Sequence, residues 1–427
     1  VNGSEVATAL DAKLSEQVLV VGSPPPGGRD LDLLARSDAH ADIAEWLSDA
    51  GFLRARKTWA KFDGDSTYAV DLSPAEAWRS PTYDPTRLFR DAEPLPGYRH
   101  LMRPGPATML LLAARGLVGR RGRLTDKSRA RVTAALQRDP SAWVAAEQEA
   151  LALGLVGAVR LLRTAFEAPQ PLSSAARAAG IIGILRYDGP VRAKARLVVS
   201  TRPRRYRPVI VSFSGLDGAG KSTQVSRLSD TLHHLGFPAA VQWVGFANGQ
   251  RLHAVISHLD RGREDTARRW SFPEETPGRE RFMPPGFDTN PVGRHAWVFT
   301  ITALNLVRLW RPVLLPRPDT KVLIFDRFSP DSAVKLDYHY RHLRHLEIRW
   351  QRAVFRLASP KPDVGFLLAV PSDTSYARRE DWTPEKLAAM EEGYDEQAQS
   401  FGLIRLDGTD PVESLCRQVA IAAWRGI

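Results

Sequence analysis

The stretch Val209-Ile-Val-Ser-Phe-Ser-Gly215-Leu-Asp217-Gly218-Ala219-Gly220-Lys221-Ser222-Thr223 decides how this chain reads. An apolar run ends in a loop with the spacing GxxxxGK[ST], and a helical pattern follows from Lys221 to Leu235 until Gly236 stops it. Glycines let consecutive backbone N–H groups turn inward around phosphate oxygens, and the helix N-terminus adds its partial positive charge. Lys221 is expected on the β- and γ-phosphates and the Ser222 hydroxyl on Mg²⁺, with Gly215, Asp217, Gly218, Ala219, Gly220 and Thr223 completing the nucleotide cradle. ATP and Mg²⁺ are the cofactors this implies.

Outward from the loop, strand and helix patterns alternate to the end of the chain. They are Ala240 to Val244, Gln250 to Leu259, Arg294 to Trp310, Val322 to Phe325, His342 to Leu357, Val364 to Val370, Pro384 to Ser400, Leu403 to Leu406 and Val412 to Trp424. Such alternation predicts βαβ units in one doubly wound parallel sheet over residues 209–427, an α/β domain. Arg261 to Pro291 is long, polar and rich in Pro and Gly, so a functional loop is expected there. On the other side, residues 201–208 combine proline with four arginines and read as a basic linker.

Before the linker, residues 106–200 read as a helical middle segment and residues 1–105 as a small α+β domain. In the latter, strands are expected at Val18 to Val21, Leu31 to Leu34, Arg54 to Phe62 and Thr67 to Leu72, with a helix near Asp42 to Ala50.

Two signatures in order make a resemblance specific. Phe213 to Gln224, and Val322-Leu-Ile-Phe-Asp326-Arg327-Phe328, resemble the opening and the Asp-Arg-aromatic signature of thymidylate kinases. Lys361 to Pro371 followed by Arg378-Arg379-Glu380 is similar to that family's late strand and arginine-bearing lid. The resemblance covers roughly Arg207 to the C-terminus and implies a P-loop kinase fold. It implies Arg327 on the acceptor phosphate, Asp217 on the acceptor's sugar, and Arg378 and Arg379 closing over the transferring phosphoryl group. A strand-end carboxylate such as Asp326 can also hold the Mg²⁺ water shell, and an adjacent guanidinium can grip a phosphate bidentately.

Two departures from the family stand out. Val241 to Arg251 replaces the usual acceptor segment, and Ser329 to Asp337 lacks the Ser, Tyr and Gln group that reads a pyrimidine. A kinase with an altered acceptor pocket is therefore expected ahead of a dTMP kinase, with Trp243, Phe246 and Arg251 as candidates to line that pocket.

Nearer the start, Val18 to Ser23, Asp30-Leu-Asp32 and Tyr68-Ala-Val-Asp71 resemble the polymerase-beta-like nucleotidyltransferase superfamily over roughly residues 15–160. Alternation puts Asp30 and Asp32 on one strand face, and a neighbouring strand can bring Asp71 beside them to hold Mg²⁺. Only six residues, three of them proline, separate Ser23 from Asp30, which is short for that family.

Composition sets the outer bounds. The 427 residues, 43% hydrophobic and 25% charged, exclude a disordered or collagen-like chain. A lone cysteine, Cys416, excludes internal disulfides and cysteine-ligated zinc, and fits a reducing cytoplasm. Apolar runs near Met109 to Ala114 and Val298 to Val307 are shorter than a membrane span, and no leader pattern opens the sequence, so no membrane association is expected.

The formal net charge is +11, with 49 arginines and 10 lysines. Scattered arginines do not favour nucleic acid, and the cluster Arg192, Lys194, Arg196, Arg202, Arg204 and Arg205 reads as a solvated linker. His339, His342 and His345 read as a solvent-facing stripe, since Arg341 and Arg344 between them repel a cation. The expected partners are thus ATP and a small-molecule acceptor, and a homodimer is compatible with the sequence. The rival reading is a nucleotide-gated binding or regulatory protein.

Overall fold

The computed structural model describes residues 2–25, 30–63, 66–78, 86–120, 122–168, 170–187, 207–246, 291–316, 320–340, 343, 345–378 and 382–427. The chain is a mixed α/β protein and divides into two compact units, Val1–Arg205 and Tyr206–Ile427. Among the described residues no helix is long and apolar enough to cross a membrane.

The first unit holds a mixed seven-stranded sheet. Its strands are β1 (Val18–Val20), β2 (Asp30–Ala35), β3 (Leu53–Ala55), β4 (Thr58–Asp63), β5 (Ser66–Pro74), β6 (Glu93–Pro94) and β7 (Leu101–Arg103), in the order β3-β4-β5-β2-β1-β7-β6. Strand β2 alternates its side chains. Leu31 and Leu33 share a core with Leu10 of helix α1 (Gly3–Asp11) and with Ile43 and Leu47 of α2 (Ser37–Asp49). Leu34 packs on the opposite face with Leu19, Met102 and Phe89, the last from the short helix α3 (Arg87–Arg90). That second face also carries Asp30 and Asp32.

Helices α4 (Pro106–Gly119), α5 (Asp126–Arg138), α6 (Ala142–Leu153), α7 (Val156–Glu167) and α8 (Ser174–Tyr187) follow. A core of Leu110, Val132, Ala146, Leu162 and their neighbours joins them.

Two expectations for this unit change, and one strand is added. The expected strand Arg54 to Phe62 is a hairpin that turns at Arg56, whose φ of +58° is left-handed without glycine or asparagine to advertise it. Helix α2 begins five residues before Asp42, and β7 pairs in parallel with β1 although three residues carry too little periodicity to be seen.

The second unit is built on a wholly parallel five-stranded sheet. Strands β8 (Val209–Ser214), β9 (Ala239–Trp243), β10 (Val322–Asp326), β11 (Val364–Ala369) and β12 (Ile404–Asp407) lie in the order β12-β11-β8-β10-β9. The chain leaves central β8 toward β9 and β10, then returns to its other side for β11 and β12. That reversal opens a crevice at the carboxyl ends of β8 and β10, the usual ligand position in such sheets.

The helices here are α9 (Lys221–His234), α10 (Pro291–Leu314), α11 (Ser329–Tyr340), α12 (His345–Ala358), α13 (Ser372–Arg378), α14 (Pro384–Phe401) and α15 (Val412–Gly426). Trp297 and Ile301 of α10, Tyr340 of α11 and Phe355 of α12 pack with Ile210, Leu323 and Phe325 of the sheet. Helix α14 opens on Thr383, whose side chain accepts from the Lys386 amide, with Pro384 at the first helical position. It ends at Gly402, φ +63°. The expected element at Gln250 to Leu259, residues 261–290 of the expected loop and linker residues 201–206 lie outside the described residues, and Pro291 opens α10.

Candidate active site

The loop between β8 and α9 has glycine where its backbone requires it. Gly215, Gly218 and Gly220 have φ of +138°, +85° and +86°, all on the left-handed side. Gly215 has a second constraint, since a Cβ there would lie 2.5 Å from the Leu368 carbonyl oxygen. Lys221 is 5% exposed, and its Nζ donates to the carbonyls of Gly215 at 2.9 Å and Leu216 at 2.6 Å. Its ammonium thus lies across the loop's mouth, while exposed Ser222 and Thr223 occupy the first turn of α9.

Strand register brings the second signature to the first. Asp326 pairs with Phe213 across β10 and β8, and the Ser222 hydroxyl donates to Asp326 Oδ2 at 2.7 Å. A hydroxyl and a carboxylate are hard oxygen donors that fit Mg²⁺.

Arg327 follows with φ +74°, uncommon for a side chain of its size, while its amide donates to the Phe213 carbonyl at 3.1 Å. That turn swings the guanidinium over the loop, where it donates to Asp217 Oδ1. The other Asp217 oxygen accepts from Trp382 Nε1 at 2.9 Å, and the Asp217 carbonyl accepts from the Ser375 hydroxyl. Asp217 therefore bonds to Arg327, Trp382 and α13, and the contact to an acceptor's sugar remains an expectation from the resemblance alone. Arg378 Nη1 reaches the carbonyls of Gly218 at 3.2 Å and Gly408 at 3.3 Å, next to the loop. Arg379 lies outside the described residues.

Several residues that sequence reasoning passed over stand beside these. Asp331 is 2% exposed and accepts from Ser214 Oγ at 2.7 Å, the Phe328 amide at 3.0 Å and Tyr394 Oη at 2.8 Å. Burial and then the Asp331 charge push the Tyr394 hydroxyl well above its ordinary range. Lys335, one turn along α11, is half-buried and held down to about 8, by burial first and by the charge of Arg327 next.

His339 overturns the expected solvent-facing stripe. It is half-buried, its ring lies tilted against Phe246 with centroids 5.6 Å apart, and burial followed by Lys386 and Lys335 holds it down to about 3. His342 and the side chain of His345 lie outside the described residues. The signal that could have found this group is the spacing of Asp331, Lys335, Tyr338 and His339, which puts them on one helical face.

The pocket candidates separate. Phe246 reaches His339, but Trp243 is 65% exposed on edge strand β9 and lines a different cavity of about 390 Å³ with Arg308 and Arg311. Arg251 lies outside the described residues. A cavity of about 400 Å³ adjoins the loop itself, lined by Gly215, Leu216, Leu368, Pro371, Tyr394 and Thr409 among others.

In the first unit, Asp32 pairs with Asp71 in the β2–β5 register, and Asp30 lies two residues before Asp32 on the same face. Burial, then Asp30, then Asp71 push the Asp32 carboxyl up. Each carboxylate nevertheless meets a cation of the chain. Lys127 lies 3.8 Å from Asp30, Arg131 lies 3.7 Å from Asp32, and Lys57 and Thr58 both donate to Asp71. Among the described residues no group of three His, Cys, Asp or Glu is placed to hold a metal ion. As arranged, the three carboxylates do not fit the expected Mg²⁺ site, because lysine and arginine supply the compensating charge.

A scan against protein-family models finds no match for this chain, and a search of curated proteins finds no match either.

Proposed function

We propose that the second unit is an ATP-dependent phosphotransferase of thymidylate-kinase-like design, acting on a small anionic acceptor. The observation that carries this reading is the hydrogen bond between Ser222 and Asp326, with Lys221 and Arg327 flanking it. One hydroxyl, one carboxylate and two cations then converge at the carboxyl edge of a parallel sheet beside a glycine-shaped loop.

Loop amides and Lys221 would bind the triphosphate, and Arg327 would hold the acceptor against the γ-phosphorus. The acceptor oxygen forms the new P–O bond as the bond to the β-bridging oxygen breaks, and ADP leaves with that electron pair. Arg378, already on the Gly218 carbonyl, stands where it can neutralise charge developing on the transferred group. Mg²⁺ held by Ser222 and Asp326 would supply neutralisation of the β- and γ-oxygens. Absence of a pyrimidine-reading group on α11 argues against dTMP as the acceptor.

For the first unit, the carboxylates and their cations support a nucleotidyltransferase-like module that binds a substrate without metal-dependent transfer. Incubation with γ-labelled ATP and a panel of phosphorylated and carboxylated metabolites tests the phosphotransferase, with mass spectrometry as readout. A phosphorylated product that Lys221→Ala eliminates supports it. Tight ATP binding with no product favours the nucleotide-gated regulatory protein instead.

A further inference from the structure

Beyond Arg327, the acceptor side of the site has a cation that no described residue pairs with directly. Asp217 serves Arg327 and lies 4.0 Å from Lys221, and Asp331 is taken up by Ser214, Phe328 and Tyr394. Lys335 is half-buried, and among the described residues its ammonium has neither a hydrogen bond nor an ion pair.

Its surroundings are also organised. Asp331, Lys335, Tyr338 and His339 share one face of α11, and that face looks toward α14, since Tyr394 bonds to Asp331 and the Lys386 ammonium lies 5.4 Å from the centre of the Tyr338 ring. Lys386 also sits 3.4 Å above the ring of Trp382, the residue that donates to Asp217. The helical face therefore runs from Arg327 at its start past Lys335 to an aromatic and cationic wall. A half-buried ammonium with no direct partner among the described residues, and only the charge of Asp331 one turn away in its favour, costs free energy that a bound anion would restore. A pyrimidine edge would not, because a lysine donates only and carries full charge.

We propose that the acceptor is a small dianion, whose second acidic group, a carboxylate or a phosphate, is held by Lys335 while Arg327 holds the group that receives the phosphoryl. This inference rests on the phosphotransferase reading for the acceptor's position and adds the chemical class of the acceptor to it. A charge-assisted contact of this kind is worth about tenfold in affinity or more.

Titration calorimetry on the full chain tests it with three probe series of two to four methylenes: alkylphosphonates, phosphonoalkyl carboxylates and alkane bisphosphonates. One chain length of the second or third series is expected to bind about tenfold tighter than its alkylphosphonate partner. Whichever series does so identifies the second group as carboxylate or phosphate. Lys335→Met and Lys335→Gln should erase that preference while leaving alkylphosphonate affinity unchanged, and Lys335→Arg should keep most of it. Equal binding of all series by the wild-type chain, or a preference that survives in the uncharged variants, overturns the inference. A magnesium complex of adenylyl imidodiphosphate titrated into the same samples keeps the two readings apart. Failure of the analogue to bind removes the phosphotransferase, whereas analogue binding without a dianion preference removes only the second anion.

Discussion

The Arg327 guanidinium donates to the Asp217 carboxylate, so the first residue beyond β10 is bonded directly to the glycine-rich loop between β8 and α9. Both side chains are largely buried, 13% and 16% exposed, and Arg327 reaches this position through a left-handed backbone turn. The pairing couples the loop to the residue proposed to hold the acceptor.

Asp217→Ala leaves that guanidinium without its partner in a poorly solvated place. Removing one member of such a pair costs about 3 kcal/mol, and the freed guanidinium no longer has a fixed direction. Urea denaturation should show the loss of stability, and acceptor KM should rise about tenfold or more.

Tyr394→Phe takes one of three donors from a carboxylate that water does not reach. The expected loss is about 1–3 kcal/mol, because the penalty is that of an undersatisfied buried acceptor rather than of an average hydrogen bond. Chemical denaturation at neutral pH measures it.

Lys335 gives a pH signature. Burial first, and then the charge of Arg327, hold its folded value at about 8, below the ordinary 10.5, with Asp331 favouring its charge and Lys221 and Lys386 opposing it. Below pH 8 both folded and unfolded chains carry the proton and the folded state bears the whole penalty. Between about 8 and 10.5 the unfolded chain binds more protons, so this group's contribution to stability rises with pH. Lys335→Met should therefore stabilise the protein by about 1–3 kcal/mol at neutral pH, a gain that shrinks as pH climbs through that window. Denaturation of both chains at neutral and alkaline pH checks the sign.

Asp32 behaves in the opposite sense. Its carboxyl is pushed up by burial and by Asp30 and Asp71, so its contribution to stability falls as pH rises from 3.8 through the folded value. Asp32→Asn should stabilise the chain at neutral pH and make no difference in acid. Paired thermal melts across that range test it.

The elements that were legible are those whose own residues are punctuated and buried on both faces. Val209 to Ser214 reads as a strand because four of its six side chains are apolar and five are buried, and the loop that follows is marked by Gly215, Gly218 and Gly220, whose backbone conformations few other residues adopt. Asp326 and Arg327 were legible because they close an equally apolar strand. Helix α11 was not, since Ser329-Pro-Asp331-Ser opens it with polar residues whose burial depends on Ser214 and Tyr394, far away in sequence. Lys335 was missed, and His339 was read as solvent-facing, for the same reason. The neutralised carboxylates of β2 and β5 were half legible: alternation places Asp30 and Asp32 together, but Lys127 and Arg131 arrive from α5, about a hundred residues later.

The most direct test is a crystal structure of the full chain with Mg²⁺ and adenylyl imidodiphosphate. The account predicts β- and γ-phosphate oxygens within about 3 Å of the amides from Gly218 to Ser222. It also predicts that Lys221 Nζ moves from the Gly215 and Leu216 carbonyls onto those oxygens. Nucleotide bound elsewhere, with Lys221 still donating to its own loop, would contradict it.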